Sequence, residues 1–132
     1  MDCLILAAGY ATRLYPLTEN MPKPLLKVKE KTILDWLIDD IDSSGMIEKY
    51  IVVSNSKFAS NCEQWAKNHS MSDRIVVVND GTFTNETRLG AVADILFAVK
   101  ELNLNGELMV IAGDNVLDFS LCRFLEYYKE KN

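Results

Sequence analysis

Short apolar runs alternate along this chain with longer segments whose apolar residues recur at helical spacing. Continuous apolar runs of this kind are typical of strands buried on both faces. The predicted strands are Leu4–Leu6, Tyr50–Val53, Arg74–Val78 and Leu108–Ala112. The segments after them predict helices that begin near Thr32, Phe58, Thr87 and Phe119. This alternation predicts an α/β protein: a three-layer α/β/α sandwich around a mostly parallel, Rossmann-like sheet.

The helical segments also carry polar residues that need an interpretation. Thr32 and Asp35 have the spacing of a capping box, and Gly45 is a plausible end for this first helix. We interpret its acidic residues at 39, 40 and 42 as a solvated face rather than a metal site. Trp65 and His69 fall on the inner edge of the second helix, which favours packing over catalysis.

The third helix is predicted to run from Thr87 to a breaker between Asn103 and Gly106. Its apolar positions include 89, 92, 93, 96 and 99, which share helical spacing. In the last helix, the residues expected to point inward are Leu121, Leu125 and Tyr128. Apolar stripes of this kind predict the faces that pack on the sheet.

Chemistry-bearing residues follow the predicted strands at one edge of the sheet. In open parallel sheets, ligands bind beyond the carboxyl ends of the strands. The loop after the first strand and Asp114 after the fourth strand both fall on this edge. Two separate motifs therefore converge on one rim.

Composition limits the classes of function. The chain has 132 residues, of which 48% are hydrophobic, so one domain with a substantial core is expected. We expect a cytoplasmic protein without membrane contact, because no signal peptide or long apolar span is present. The three cysteines, Cys3, Cys62 and Cys122, lack metal-ligand spacing and are interpreted as reduced core thiols.

Charge is distributed unevenly along the chain. The net charge is −5, which argues against general nucleic-acid binding. Residues 1–31 nevertheless carry a net charge of +2, which leaves −7 for the remainder. A basic loop on an acidic body suits a small polyanion better than a polymer.

The segment from Leu4 to Val28 is the richest in candidate chemistry. Its apolar strand ends in the small residues Ala7, Ala8 and Gly9, where a phosphate can approach backbone N–H groups closely. Arg13 and Lys23 follow and can supply positive charge from either side. Lys23 stands between two prolines, which stiffen the loop around it.

This segment closely resembles the signature of the sugar-phosphate nucleotidylyltransferases, of the glucose-1-phosphate thymidylyl- or uridylyltransferase kind. The residues that carry the resemblance are Ala7–Gly9, Thr12–Leu14, Pro16–Thr18 and Pro22–Leu26. Gly113-Asp114-Asn115 further on is similar to the family's Gly-Asp-Asn. Alanine at positions 8 and 11, where the family usually has glycine, is a mild departure.

The resemblance implies transfer of a nucleotidyl group from a nucleoside triphosphate to a sugar 1-phosphate, with release of pyrophosphate. It implies catalytic roles for Arg13 and Lys23 on the phosphates, and a Mg²⁺ ion held by Asp114. The nucleotide-binding residues that it implies are Leu6, Ala7, Ala8, Gly9, Thr12, Arg13, Asn79, Arg88 and Gly90. Because Arg88 stands where a glycine is usual, Arg88 is either an anion contact or a surface residue, and the base stays unassigned.

The resemblance covers residues 1–132 as one nucleotide-binding domain, but family catalytic domains are longer and add a sugar-phosphate half. We therefore expect an apparently truncated sheet whose exposed edge favours self-association into a homo-oligomer. Two alternatives stay open. The chain is a non-catalytic nucleotide-binding module or inactive fragment, or its acceptor is a phosphocholine-like phosphate ester.

Overall fold

A four-stranded parallel sheet forms the centre of the molecule. The computed structural model describes residues 1–9, 20–113 and 121–131. The strands, in chain order, are β1 Asp2–Leu6, β2 Lys27–Val28, β3 Lys31–Thr32, β4 Lys49–Ser54, β5 Ile75–Asn79 and β6 Leu108–Ala112. The short strands β2 and β3 form a separate antiparallel hairpin. All four predicted core strands are therefore present, within one or two residues of their predicted bounds.

The order of the strands creates a switch point beside β1. The order is β5-β4-β1-β6, and every neighbouring pair is parallel. The chain moves outward from β1 through β4 to β5, then crosses back to place β6 on the other side of β1. The strand order therefore reverses between β1 and β6, and in doubly wound sheets ligands bind at such a switch point, beyond the carboxyl ends of the strands.

Helices cover both faces of this sheet, as predicted. They are α1 Ile33–Asp42, α2 Ala59–Asn68, α3 Ala91–Glu101 and α4 Leu121–Lys131. Buried residues of α1, α2 and α4 share one core cluster with Cys3 and Ile5 of β1. Ala98 of α3 joins Leu4 in the cluster on the opposite face. Successive side chains of β1 point to opposite faces of the sheet, so the core has two layers.

The capping box predicted for the first helix is present. Thr32 Oγ1 accepts a hydrogen bond from Asp35 N at 3.0 Å, and Asp35 Oδ2 accepts one from Thr32 N at 3.1 Å. These bonds satisfy two backbone donors that would otherwise lack partners at the helix start. The helix ends at Asp42, followed by a turn in which Gly45 adopts a φ of +71°.

The predicted third helix is wrong in its start and in its inner face. Residues 85–87 form a separate 3-10 turn, and α3 begins at Ala91. Val92 and Leu96 are exposed, whereas Asp94 and Ala98 are buried. The small side chain of Ala98 allows close packing on the sheet, and the buried Asp94 lies beside a second polar residue, which apolar periodicity does not reveal.

The acidic run of α1 is only partly a solvated face. Asp39 forms an exposed ion pair with Lys31. Asp42, however, accepts hydrogen bonds from Arg74 at 2.7 Å and from the Tyr50 hydroxyl at 2.9 Å. The Arg74 hydrogen bond is the main reason that the pKa of Asp42 lies below its usual value. This network joins α1 to the amino ends of β4 and β5.

The cysteines are free thiols, and two of the three lie in the core. Cys3 and Cys62 are buried, and burial raises the pKa of the Cys3 thiol to about 12. Cys122 is half-buried on α4, so it is not the core residue that was expected. None of the described helices is both long and apolar enough to cross a bilayer.

Among the described strands, β6 forms one edge of the sheet. A groove of about 440 Å³ lies between this strand and α4, lined by residues that include Val110, Phe124 and Tyr128. Val110 and Phe124 expose 39% and 53% of their surface. Exposed apolar surface beside a strand edge favours association. Self-association through this edge stays a prediction.

We predict that Gly113→Ala destabilises the fold by about 1–3 kcal/mol, because the new methyl group overpacks the junction of β1, β6 and α1. A Cβ at Gly113 would lie 2.7 Å from Ile5 Cγ2 and 3.1 Å from the Leu6 carbonyl oxygen. Urea denaturation measures the free energy of unfolding.

Gly9→Ala is the matched control, since a Cβ at Gly9 meets no atom of the described residues within 4 Å. Equal stability of Gly113→Ala and Gly9→Ala would contradict the close packing at Gly113.

Candidate functional site

The end of β1 opens onto the switch point. Leu6 is half-buried, and Ala7 and Ala8 are 3% and 5% exposed. Gly9, the next residue, is exposed, and no atom of residues 1–9, 20–113 or 121–131 lies within 4 Å of the place of a Cβ there. The four residues predicted to line a phosphate cradle therefore pass from the core to the surface within one short segment.

Hydrogen bonds between neighbouring strand ends hold this segment in place. Gly113 N, at the end of β6, donates to the Leu6 carbonyl at 2.8 Å. Ala7 N donates to the Val53 carbonyl of β4, also at 2.8 Å. The backbone up to Ala8 is therefore fixed from both sides, which gives the first residue beyond it, Gly9, a defined position on the rim.

Asn55 completes this support, and the sequence predicts it only as part of a loop and helix cap (residues 54–56), not as a site residue. Its side chain is fully buried, and Nδ2 donates to the Ala8 carbonyl at 2.8 Å. Its Oδ1 accepts from Phe58 N at 3.0 Å, at the start of α2. One amide thus joins the β1 loop to the next helix, and its position directly after a buried strand was the available signal.

Lys23 lies in a short 3-10 helix, Lys23–Leu25, that packs against the start of α1. Pro24 and Leu25 are buried, whereas Lys23 is half-buried and makes no ion pair with another described residue. Ile33 N donates to the Leu26 carbonyl at 3.1 Å, which ties the segment to α1. The first turn of α1 also approaches Gly113, since Leu34 Cδ2 lies 3.5 Å from the place of its Cβ. Lys23 therefore lies on a short 3-10 helix that is attached to α1 near the switch point.

Asn79 marks the carboxyl end of β5, the strand farthest from β6. Its Oδ1 accepts hydrogen bonds from Ser56 Oγ at 3.0 Å and from Gly81 N at 2.8 Å. These bonds shape the turn after β5 and connect it to the loop after β4. The structure thus gives Asn79 a role in building the rim, two strands away from β1.

Asp80 and Asp94 form a buried pair of carboxyl groups beside this turn. They are 8% and 6% exposed. Asp80 Oδ1 accepts from both the backbone and the hydroxyl group of Thr82, at 2.9 and 2.8 Å. Burial, followed by a hydrogen bond with Asp80 and by its negative charge, raises the pKa of Asp94 to about 7. Neither residue was predicted as a functional group.

Arg88 and Gly90 lie on the loop that leads into α3. Both residues are exposed, and Gly90 is the N-terminal capping residue of the helix with a φ of +86°. This backbone conformation is unfavourable for residues with a side chain, which explains the glycine at this position. The loop carries them along the same edge as the β5 turn, but no contact in the described residues assigns either one to a ligand.

Three of the predicted site residues lie outside the described residues: Thr12, Arg13 and Asp114. Gly113, directly before Asp114, does belong to the rim because it hydrogen bonds to Leu6. In the described ranges, no group of three or more His, Cys, Asp or Glu side chains is arranged to hold a metal ion. The roles of Thr12, Arg13 and Asp114 remain predictions.

Trp65 and His69 have structural contacts away from the rim. Trp65 Nε1 donates to Asp35 Oδ1 at 2.9 Å, and His69 Nε2 lies 3.5 Å from the same oxygen. His69 Nδ1 accepts from Met71 N at 3.0 Å. These contacts join α2 to the capped start of α1, in agreement with the packing role inferred from the sequence.

Comparison with known proteins identifies the family of this chain. Residues 2–132 match the nucleotidyl transferase family. The chain belongs to this family. It is 33% identical over 128 residues to the bifunctional protein GlmU of Methanococcus vannielii, and the match covers 96% of the chain and 28% of GlmU.

Two further proteins with different substrates in their names are similar to this chain. The UTP–glucose-1-phosphate uridylyltransferase of Synechocystis is 26% identical, and the match covers 99% of the chain and 35% of that protein. The CTP:phosphocholine cytidylyltransferase LicC of Streptococcus pneumoniae superposes with a TM-score of 0.68 at 28% identity, over 91% of the chain and 47% of LicC. The chain thus spans about a third of these curated relatives and about half of LicC.

We predict that Asn55→Ala lowers the free energy of unfolding by about 2–3 kcal/mol, because a buried acceptor at Ala8 loses its donor and Phe58 N, just before α2, loses its side-chain acceptor. Thermal and urea denaturation measure the loss. Asn68→Ala, at the exposed end of α2, is the matched control. A loss no larger than that of the control would show that Asn55 does not hold the β1 loop.

Proposed function

We propose that this chain is the nucleotide-binding half of a nucleotidyltransferase that joins a nucleoside triphosphate to a sugar 1-phosphate and releases pyrophosphate. The observation that carries the proposal is the exposed backbone at Gly9, directly after a segment that is hydrogen bonded to its neighbours and beside the switch point. Among the described residues, no atom lies within 4 Å of the place of a Cβ on Gly9, which favours the approach of an anion to this backbone. Membership of the nucleotidyl transferase family supports the same reaction class.

The nucleotide-binding residues in this proposal fall into two groups. Leu6 through Gly9, with Thr12 and Arg13 beyond them, hold the triphosphate, and Asn79, Arg88 and Gly90 lie toward the nucleoside. The planar guanidinium of Arg13 suits paired phosphate oxygens. Lys23, held by the 3-10 helix, balances the negative charge that develops on the reacting phosphates.

A hard divalent cation fits the donors expected at the rim. Mg²⁺ commonly binds one or two carboxylates together with substrate phosphates, so Asp114 alone from the protein is a sufficient ligand set. When bound, the ion would neutralise charge on the phosphates. In the sequence Asp114 follows Gly113, whose N donates to the Leu6 carbonyl, and the identity of the ion as Mg²⁺ is part of the proposal.

The reaction itself requires mainly positioning. An oxygen of the acceptor phosphate attacks the α-phosphorus, the bond between that phosphorus and the bridging oxygen breaks, and pyrophosphate leaves. Fixed backbone donors and cations need no rearrangement as charge shifts, which is how a rigid rim lowers the barrier. A cytoplasmic location, where triphosphates are available, belongs to the same proposal.

Two specific observations favour variants of this function. The likeness to LicC supports a phosphocholine-like acceptor as the alternative to a sugar 1-phosphate. A second alternative is a module that binds nucleotide without turnover, which the exposed backbone at Gly9 is equally able to serve. The acceptor panel and the comparison of binding with turnover below distinguish them.

We predict that the chain binds one nucleoside triphosphate in the presence of Mg²⁺, and that Gly9→Ala weakens this binding about tenfold or more without loss of stability. The added methyl group fits the fold but occupies the space that a phosphate needs. Isothermal titration with each triphosphate, with and without Mg²⁺, measures both effects. Unchanged affinity in Gly9→Ala would remove Gly9 from the cradle.

We predict that Lys23→Ala lowers the rate of pyrophosphate release about 100-fold while changing triphosphate affinity less, because its charge acts mainly in the transition state. The assay combines Mg²⁺, each triphosphate, and a panel of sugar 1-phosphates and phosphocholine.

Lys49→Ala is the matched control, since Lys49 is also half-buried but lies at the amino end of β4. Binding without pyrophosphate release from any acceptor, including in a longer chain that contains this sequence, would favour the non-catalytic module.

A further inference from the structure

The carboxyl pair of Asp80 and Asp94 is a buried polar cluster that the proposed reaction does not use. Each side chain has one buried oxygen, Asp80 Oδ2 and Asp94 Oδ1, without a hydrogen-bond partner among the described residues. Buried acceptors in this condition are rare in folded proteins and call for an explanation. Two ionised carboxylates in contact would also repel each other in a low-dielectric environment.

One shared proton resolves both difficulties. Asp80 is the charged neighbour of Asp94: after burial, a side-chain hydrogen bond with Asp80 and the negative charge of Asp80 raise the pKa of Asp94. When one carboxyl is protonated, it donates to the other, and the pair carries one negative charge instead of two. Burial favours the proton on Asp94, since a neutral carboxylic acid costs less to bury than a carboxylate.

The pair lies where it can control a loop. Asp80 directly follows β5, and its backbone N donates to the Ser54 carbonyl of β4 at 2.8 Å. Asp94 lies in the first turn of α3, where its N donates to the Gly90 carbonyl at 3.0 Å. The intervening residues 81–90 form a loop whose two ends the carboxyl pair joins. Arg88 and Gly90 belong to this loop.

The loop has its own internal structure, so its attachment to the body matters. Within it, Thr87 N donates to the Thr84 carbonyl at 3.1 Å, and the two threonine hydroxyls are 3.0 Å apart. At its start, Ser56 N donates to the Thr82 carbonyl at 2.8 Å. The carboxyl pair is the corresponding attachment at its far end.

We propose that Asp94 is a positioning residue: by sharing a proton with Asp80, it closes the base of the 81–90 loop and holds the loop in the arrangement that binds the nucleoside triphosphate. This role rests on the proposed function, because it assumes that the loop contacts the nucleotide. Loss of the proton places two charges in one buried contact and separates the loop from the rim.

The surroundings of the pair favour a proton over a fixed counter-charge. Thr82 supplies two neutral donors to Asp80. Helix α3 packs on β1 and β4, whose charged residues, Asp2 and Lys49, lie at the opposite, amino ends of those strands. On the loop, Glu86 and Arg88 are exposed. The charge that acts on Asp94 is that of Asp80.

The first experiment tests the shared proton without any ligand. Because the pKa of Asp94 is higher in the folded chain than in the unfolded chain, the folded chain holds the extra proton between about pH 4 and pH 7. The equilibrium constant for unfolding should therefore rise with pH by up to about tenfold per unit over this window, and then level off above it.

Asp94→Asn should abolish this rise, since an amide donates to Asp80 at every pH. Asp73→Asn is the matched control, as Asp73 is exposed and precedes the amino end of β5. Measurement above pH 5 keeps the contribution of Asp42 constant, because its lowered pKa affects stability only when pH falls below the ordinary aspartate value. The same pH dependence in Asp94→Asn and the wild type would overturn the shared proton.

The second experiment tests positioning by titration of each chain with the triphosphate that it binds, at pH 6.0 and 8.5. The ratio of dissociation constants, wild type over Asp94→Asn, should rise about tenfold or more between these pH values, because only the wild type loses its donor. Titration of the nucleotide itself cancels in this ratio. For Asp73→Asn, the ratio to wild type should stay constant.

The remaining outcomes are also decisive. Asp80→Asn, which supplies the donor from the other side, is the second variant if Asp94→Asn does not fold, and it should reduce the pH dependence, since it removes the charge of Asp80 but leaves Asp94 buried. Binding of Mg²⁺ alone at pH 8.5, lost in Asp94→Asn, would overturn the proposal in favour of a cation site. Absence of triphosphate binding at both pH values would overturn the proposed function and the positioning role, while the unfolding series still decides the shared proton.

Discussion

Hydrogen bonding at the carboxyl edge of the sheet is the constraint on which the rest of this structure depends. The central strands are buried on both faces, and each must end where its last polar backbone groups find partners. Here the partners come from the neighbouring strand ends: Gly113 to Leu6, Ala7 to Val53, and Asp80 to Ser54. The edge that is predicted to bind a ligand is therefore also the edge at which these hydrogen bonds join the ends of neighbouring strands.

Rigidity of this edge has a direct chemical consequence. A phosphate bound by backbone N–H groups gains most when those groups do not have to move to meet it. Asn55 holds the Ala8 carbonyl through a hydrogen bond, and Gly113 N holds the Leu6 carbonyl in the same way, so β1 is joined to the chain on both sides of it. Gly9 is the next residue and is exposed, so the fold places an exposed backbone directly after a fixed one.

The Asp80–Asp94 contact applies the same requirement to side chains. A polar group that faces the sheet from α3 needs a partner, and the partner available is another acid. A proton is the simplest group that can satisfy both carboxyls in a buried site, which makes this part of the rim sensitive to pH where the backbone part is not. The two halves of the rim thus differ in what holds them: backbone geometry near β1, and ionisation near β5.

The strands and their parallel arrangement could be predicted from the sequence alone, and the carboxyl edge of the sheet is where the sequence predicts the site. Prediction of the elements succeeded because burial on both faces leaves a local signature, a continuous apolar run, and because Thr32 and Asp35 encode a helix start within four residues. The small residues before Gly9 could also be recognised from the sequence, since their chemistry is local. The family signature could be recognised for the same reason, because it is a set of fixed offsets within one loop.

Only the tertiary structure decided how distant residues meet. Apolar spacing placed Val92 and Leu96 on the inner face of α3, but the sheet instead receives Ala98 and Asp94, because contact distance and a polar partner from β5 outweigh hydrophobicity there. The roles of Asn55 and Asp80 depend on atoms 47 and 14 residues away in the chain. No local pattern encodes such pairs, since their energy arises only when the strands are already side by side.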